Sequence, residues 1–98
     1  MIIRVFRARP KPGAADELTR LAEEVSLPFV ERQSGLVARF LGRGAGSTGE
    51  ELTMITIWED LDAMKSMTGE DWESPVMPDE RVEQLIDESF LHHYESIG

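Results

Sequence analysis

The chain has 98 residues, 41% hydrophobic and 30% charged, which is one globular domain over residues 1–98 and excludes a disordered chain or a multi-domain enzyme. Its formal charge of −9 is unevenly spread: residues 1–43 carry 8 Lys and Arg against 5 Asp and Glu, and residues 44–98 carry 2 against 14. That acidic second part argues against nucleic acid and against an anionic membrane as partners, since phosphate binding needs a basic footprint.

The opening run Ile2 to Arg9 is rich in β-branched residues and stops at Pro10, which cannot continue a central strand, so strand one is expected there. After the turn at Lys11-Pro12-Gly13, Leu18, Leu21, Ala22, Val25 and Phe29 recur at spacings of three and four. This periodicity predicts an amphipathic helix from Ala14 to Gln33, bent at Pro28, with Asp16 and Glu17 at the positive end of its dipole. Leu36–Leu41 reads as strand two and Glu51–Trp58 as strand three, joined by a Gly-rich hairpin loop. That loop has no Lys-Ser/Thr ending and opens a strand, so it is no phosphate cradle. Asp60 caps a predicted helix over Leu61–Thr68, an irregular stretch runs from Gly69 to Pro78, a helical turn is expected at Asp79–Gln84, and Ile86–Tyr94 is strand four.

The order β-α-β-β-α-β is that of an α+β, ferredoxin-like unit with a four-stranded antiparallel sheet and its helices on one face. With Ile3, Val5, Ala38, Phe40, Ile55 and Ile57 assigned to the helices, alternation sends Ile2, Arg4, Phe6, Val37, Arg39, Leu41, Leu52, Met54, Thr56 and Trp58 to the other face. That face is too apolar for water. A two-fold homodimer is therefore expected, its sheets facing each other around a partly polar cavity for a small aromatic ligand. No apolar run approaches the ~18–20 residues of a membrane span. The start MIIRVFRARP has no signal-peptide core, so a cytoplasmic location is expected.

This order, together with Trp58-Glu59-Asp60, Gly69-Glu70-Asp71, Pro78-Asp79-Glu80 and the ending His93-Tyr94-Glu95, resembles the antibiotic biosynthesis monooxygenase superfamily along the whole chain. The resemblance implies a dimeric α+β barrel in which the last strand helps to lock two subunits together. Activities in that superfamily include cofactor-independent oxygenation of polyketide-like phenols and oxidative haem breakdown, and the fold alone selects neither. In the haem-degrading relatives an iron-binding histidine precedes the final strand and an asparagine lies on strand one. This chain has no histidine before His92 and no asparagine at all, which counts against haem.

His92 and His93 are the only histidines, and as strand neighbours they point to opposite faces, so they cannot share a metal. At least one is expected to face the cavity as a general base taking a phenolic proton, a hydrogen-bonded or exposed residue near the chain end being the plainer role. Alternation leaves either possible, and the resemblance of the His93-Tyr94-Glu95 ending selects His93, with Arg4, Arg39 or Tyr94 stabilising the anion. Arg4 and Arg39 are expected to face the cavity, where each needs a carboxylate or a substrate anion, and an intersubunit ion pair is the plainer role. Phe6, Met54 and Trp58 complete the expected substrate lining, with Trp72 on a lid, while core packing is the plainer role for Trp58. The acids from Glu70 to Glu83 match no calcium-loop spacing and read as a solvated face, so neither a metal nor a cofactor is expected. Two functions follow as expectations: a monooxygenase acting on an electron-rich aromatic, and a non-catalytic dimer, either a ligand-binding or stress-associated module or a barrel with a filled, inert interior. A cavity of ~300 Å³ or more containing a histidine would favour the first.

Overall fold

In the computed structural model, which describes residues 1–98, strand β1 (Ile2–Pro10) lies between β3 (Leu52–Trp58) and β4 (Ile86–Glu95), and β2 (Leu36–Arg43) forms the edge beyond β3. Every pairing is antiparallel, and the strand order is β2-β3-β1-β4. This is the ferredoxin-like α+β arrangement that the element order predicts.

The helical stretch after β1 runs as α1 (Ala15–Leu21), a π-helical segment (Ala22–Ser26) and α2 (Leu27–Glu31). Pro28 explains the interruption. It has no N–H to offer the Glu24 carbonyl, and the preceding backbone widens so that the Leu27 N–H donates to Ala22, five residues back. The predicted bend is thus a π-turn placed just ahead of the proline. Helix α3 (Leu61–Thr68) begins at Asp60, whose carboxylate accepts from the Ala63 N–H at 2.8 Å, and it buries Met64. Asp79 caps α4 (Glu80–Gln84) in the same way, accepting from the Arg81 N–H.

The two faces of the sheet are the reverse of those expected. Arg4 and Ala8 of β1, and Leu52, Thr56 and Trp58 of β3, are buried on the helix side. Ile3, Val5, Ile55, Ile57, Ala38 and Phe40 occupy the open face, where Phe40 is 57% exposed. Packing decides the parity. Ala8 is small enough for Leu18, Leu21 and Ala22 to close on it in one core cluster with Leu52 and Val82, and the Arg4 guanidinium finds hydrogen-bond acceptors only on the helix side. Val37 falls at an irregularity in the β2–β3 register and is 49% exposed.

Gly35 makes the tight turn between α2 and β2 at φ +86°, and a Cβ there would lie 2.5 Å from the Ala63 Cβ of α3. Positive φ and a steric clash act together, so Gly35→Ala is expected to lower the unfolding free energy by roughly 2 kcal/mol or more in urea titration. An unchanged midpoint would mean that α3 does not pack against this turn.

Candidate active site

Between the sheet and the helices lies a cavity of about 80 Å³. Its floor is Phe6, Ala8, Leu41, Leu52 and Met54 from the sheet, its back wall Ala22, Ser26, Phe29 and Val30 from the π-turn and α2, and its roof Val76, Met77 and Pro78 from residues 69–79. Three methionines, Met54, Met67 and Met77, contribute to the lining, which suits a pocket that adapts its shape. One charged side chain, Arg4, faces this apolar space.

Arg4 is 5% exposed and forms no ion pair with any carboxylate. Its Nη1 donates to the Trp72 carbonyl at 2.6 Å and to His93 Nε2 at 2.8 Å, and its Nη2 donates to the Ser74 carbonyl at 3.1 Å. Burial lowers its pKa to about 10, so it is still a cation at neutral pH. Arginine can only donate, so His93 Nε2 must be the unprotonated nitrogen, and in the neutral ring Nδ1 carries the proton. Burial, followed by the Arg4 charge, holds the His93 pKa below the ordinary histidine value, with Glu73 opposing. The Trp72 ring meets the His93 ring edge-on, with centroids 4.9 Å apart.

The sequence pattern of the antibiotic biosynthesis monooxygenase family matches residues 1–71. The chain belongs to that family. Solved structures agree at the level of fold. SnoaB, a cofactor-independent oxygenase from Streptomyces nogalater, is 19% identical with a TM-score of 0.75, over 99% of this chain and 93% of that one. An uncharacterised NIPSNAP domain protein from Burkholderia xenovorans is 10% identical with a TM-score of 0.76, over 99% and 95%. A conserved protein from Methanosarcina mazei Go1 is 17% identical with a TM-score of 0.75, over 99% and 94%. No curated protein matches the chain.

Within this monooxygenase-family fold, the residues singled out by sequence fall into three places. Arg4, Phe6 and Met54 line the cavity, and His93 and Trp72 stand next to Arg4. Trp58 is fully buried, its indole N–H donating to Thr56 Oγ1 at 2.9 Å, so it packs the core and forms no part of the cavity wall. Tyr94 and Arg39 stand apart. Tyr94 follows His93 on a strand and therefore points to the open face, where it is 54% exposed. Arg39 sits on the edge strand β2 with its Nε 3.7 Å from Glu31. The cavity itself is also displaced from expectation: it lies between sheet and helices, not between two sheets. His92, paired with Val5, shares the open face with Tyr94.

The sequence reading missed Ser26, Phe29, Met77 and the carbonyls of Trp72 and Ser74. Pro28 announces an irregular helix and points to its neighbourhood. Backbone carbonyls in a loop carry no residue signature.

Proposed function

We propose that this protein is a cofactor-independent monooxygenase that acts on an electron-rich aromatic or polyketide-like molecule. The observation that carries this reading is a buried guanidinium without a carboxylate that lines an apolar cavity and is bonded to a neutral histidine, which is not itself part of the lining. A phenol or carbon acid placed there gives its proton to His93 Nε2, while Arg4 holds the oxygen on which charge develops. An imidazolium beside Arg4 is unfavourable alone, and an oxyanion between the two cations removes that penalty. The electron-rich anion then reduces dioxygen directly. A methylene becomes a carbonyl, one oxygen atom of dioxygen enters it, and the other leaves as water with the two protons lost from carbon. His93 Nε2 takes up the first of them and returns it to the departing oxygen.

The family match and the SnoaB fold support this chemistry. In the proposed protein a second copy covers the open sheet face, Phe6 and Met54 pack the substrate, and Trp72 closes over it. Tyr94 and Arg39 have no role in this chemistry.

The test is oxygen uptake by purified protein with an anthrone-like or hydroquinone substrate. Substrate-dependent uptake is expected, and His93→Ala should lower kcat about 100-fold or more. Because His93 is held below the usual histidine pKa, the base is fully available at neutral pH, and the rate should fall only as pH drops below about 6.5. Uptake that is absent, or untouched by His93→Ala, rejects the reading.

The size of the cavity favours a second reading. Its volume of about 80 Å³ is below the ~150 Å³ of a cavity known to hold benzene, so a ring cannot enter unless residues 69–79 move. A non-catalytic dimeric module keeps them in place, and neither oxygen uptake nor ligand binding is then observed.

A further inference from the structure

We propose that the cavity selects its ligand as a monoanion, an apolar ring system bearing one acidic oxygen that ends on Arg4. This rests on reading the cavity as a ligand site, as above, and is independent of what happens to dioxygen.

The argument begins with the donors of Arg4. Of its five N–H groups, Nη1 gives two and Nη2 one to Trp72, His93 and Ser74. The Nε–H and one Nη2 hydrogen have no protein acceptor. Arg4 is also the one charged residue that lines the cavity, so its unpartnered donors belong to the side chain that an entering ligand meets. All three groups that Arg4 does bond are neutral, which satisfies hydrogen bonds but leaves the charge uncompensated in apolar surroundings.

Ligand access sharpens the selection. The roof residues Val76, Met77 and Pro78 belong to the segment that Arg4 holds through Trp72 and Ser74. Moving that roof to admit a ring strains or breaks these two bonds. A neutral hydrocarbon would then leave a buried cation with fewer acceptors than before. A carboxylate, enolate or phenolate oxygen replaces them and adds the missing counter-charge through charge-assisted hydrogen bonds. The rest of the lining, Phe6, Phe29 and the three methionines, takes the apolar body. Burial lowers the Arg4 pKa to about 10, a direction that an adjoining anion reverses.

Two inert probes of similar shape test this, 2-naphthoate and 2-naphthylmethanol, by calorimetry at pH 7.5 and about 0.15 M salt, where the field of the acidic surface is screened beyond about 8 Å. The wild-type protein is expected to bind the carboxylate at least about tenfold more tightly than the alcohol, the difference one charge-assisted bond supplies. Arg4→Gln keeps an amide donor for the roof and should bring the two affinities within about threefold. Equal wild-type affinities, no binding of either probe, or a preference that survives Arg4→Gln overturns the proposal. Anion preference without oxygen uptake rejects only the oxygenase reading, and oxygen uptake without anion preference rejects only this inference.

Discussion

Replacing Arg4 with Met is expected to abolish oxygen uptake and free the roof of the cavity while leaving the fold intact. Three consequences come from one side chain. The first is chemical: the developing oxyanion loses its permanently charged donor, and removal of one such donor typically costs about 100- to 1000-fold in kcat. The second concerns residues 70–78, whose hydrogen bonds to the sheet are the two that Arg4 makes to Trp72 and Ser74. Without them a Glu-specific protease should cut at Glu70 or Glu73 at least about tenfold faster, while Glu17, in α1, stays protected. The third is thermodynamic. A guanidinium buried without a counter-charge is costly, and an apolar side chain of similar length among Phe6, Met54 and Met77 is not. The abandoned carbonyls lie on a segment able to turn to water. The unfolding free energy should therefore change by less than about 1 kcal/mol, or rise. Together these results distinguish Arg4 from a core residue such as Met64, fully buried in α3, whose truncation to Ala costs about 2–5 kcal/mol with no local change at residues 70–78. Full uptake and an unchanged cleavage rate in Arg4→Met would remove Arg4 from both roles.

Element order was legible in the sequence because each boundary has its own local chemistry. Pro10 ends β1, Asp60 and Asp79 cap their helices through side-chain oxygens, and Pro28 forces the π-turn. The facing of the sheet was not legible, because both of its faces are apolar. Ile3 and Val5 are as hydrophobic as Ile2 and Phe6, and hydrophobic alternation alone cannot rank two such sets. Arg4 was the informative exception, since a charge on the buried face must have acceptors. Those acceptors are carbonyls 68 and 70 residues away in a segment with no periodicity. The facing of β4 was hidden for a related reason: it depends on the register that sets Arg4 opposite His93, which only the assembled sheet defines. Hence Arg4, Phe6, Met54, His93 and Trp72 could be named as candidates without the place where the structure brings them together, while Tyr94, of opposite parity to His93 on β4, lies on the open face.

The reversed facing strengthens the case for a second copy and changes where to test it. The open face carries Ile3, Val5, Phe40, Ile55, Ile57 and Tyr94, of which Phe40 and Tyr94 are more than half exposed. Such a face normally marks an interface, and its two-fold pairing with itself would bury Ile55, which lies on the central strand β3 between Val5 and Phe40. Ile55→Glu costs little in a separated subunit, where the carboxylate stands in water and the helix-side core is untouched. In a dimer it places two like charges near the two-fold axis in a desolvated layer, at a cost of several kcal/mol. The wild-type protein is expected to scatter light as a dimer at micromolar concentration. Ile55→Glu should scatter as a monomer with unchanged far-ultraviolet circular dichroism, its dissociation constant raised at least about 1000-fold. Because each copy carries a formal charge of −9, added salt should tighten the wild-type dimer by screening their mutual repulsion. A wild-type monomer at that concentration, or a dimer that survives Ile55→Glu, means that another surface or another partner covers the sheet. The cavity beneath the helices is unaffected by that outcome, since its lining comes from one chain.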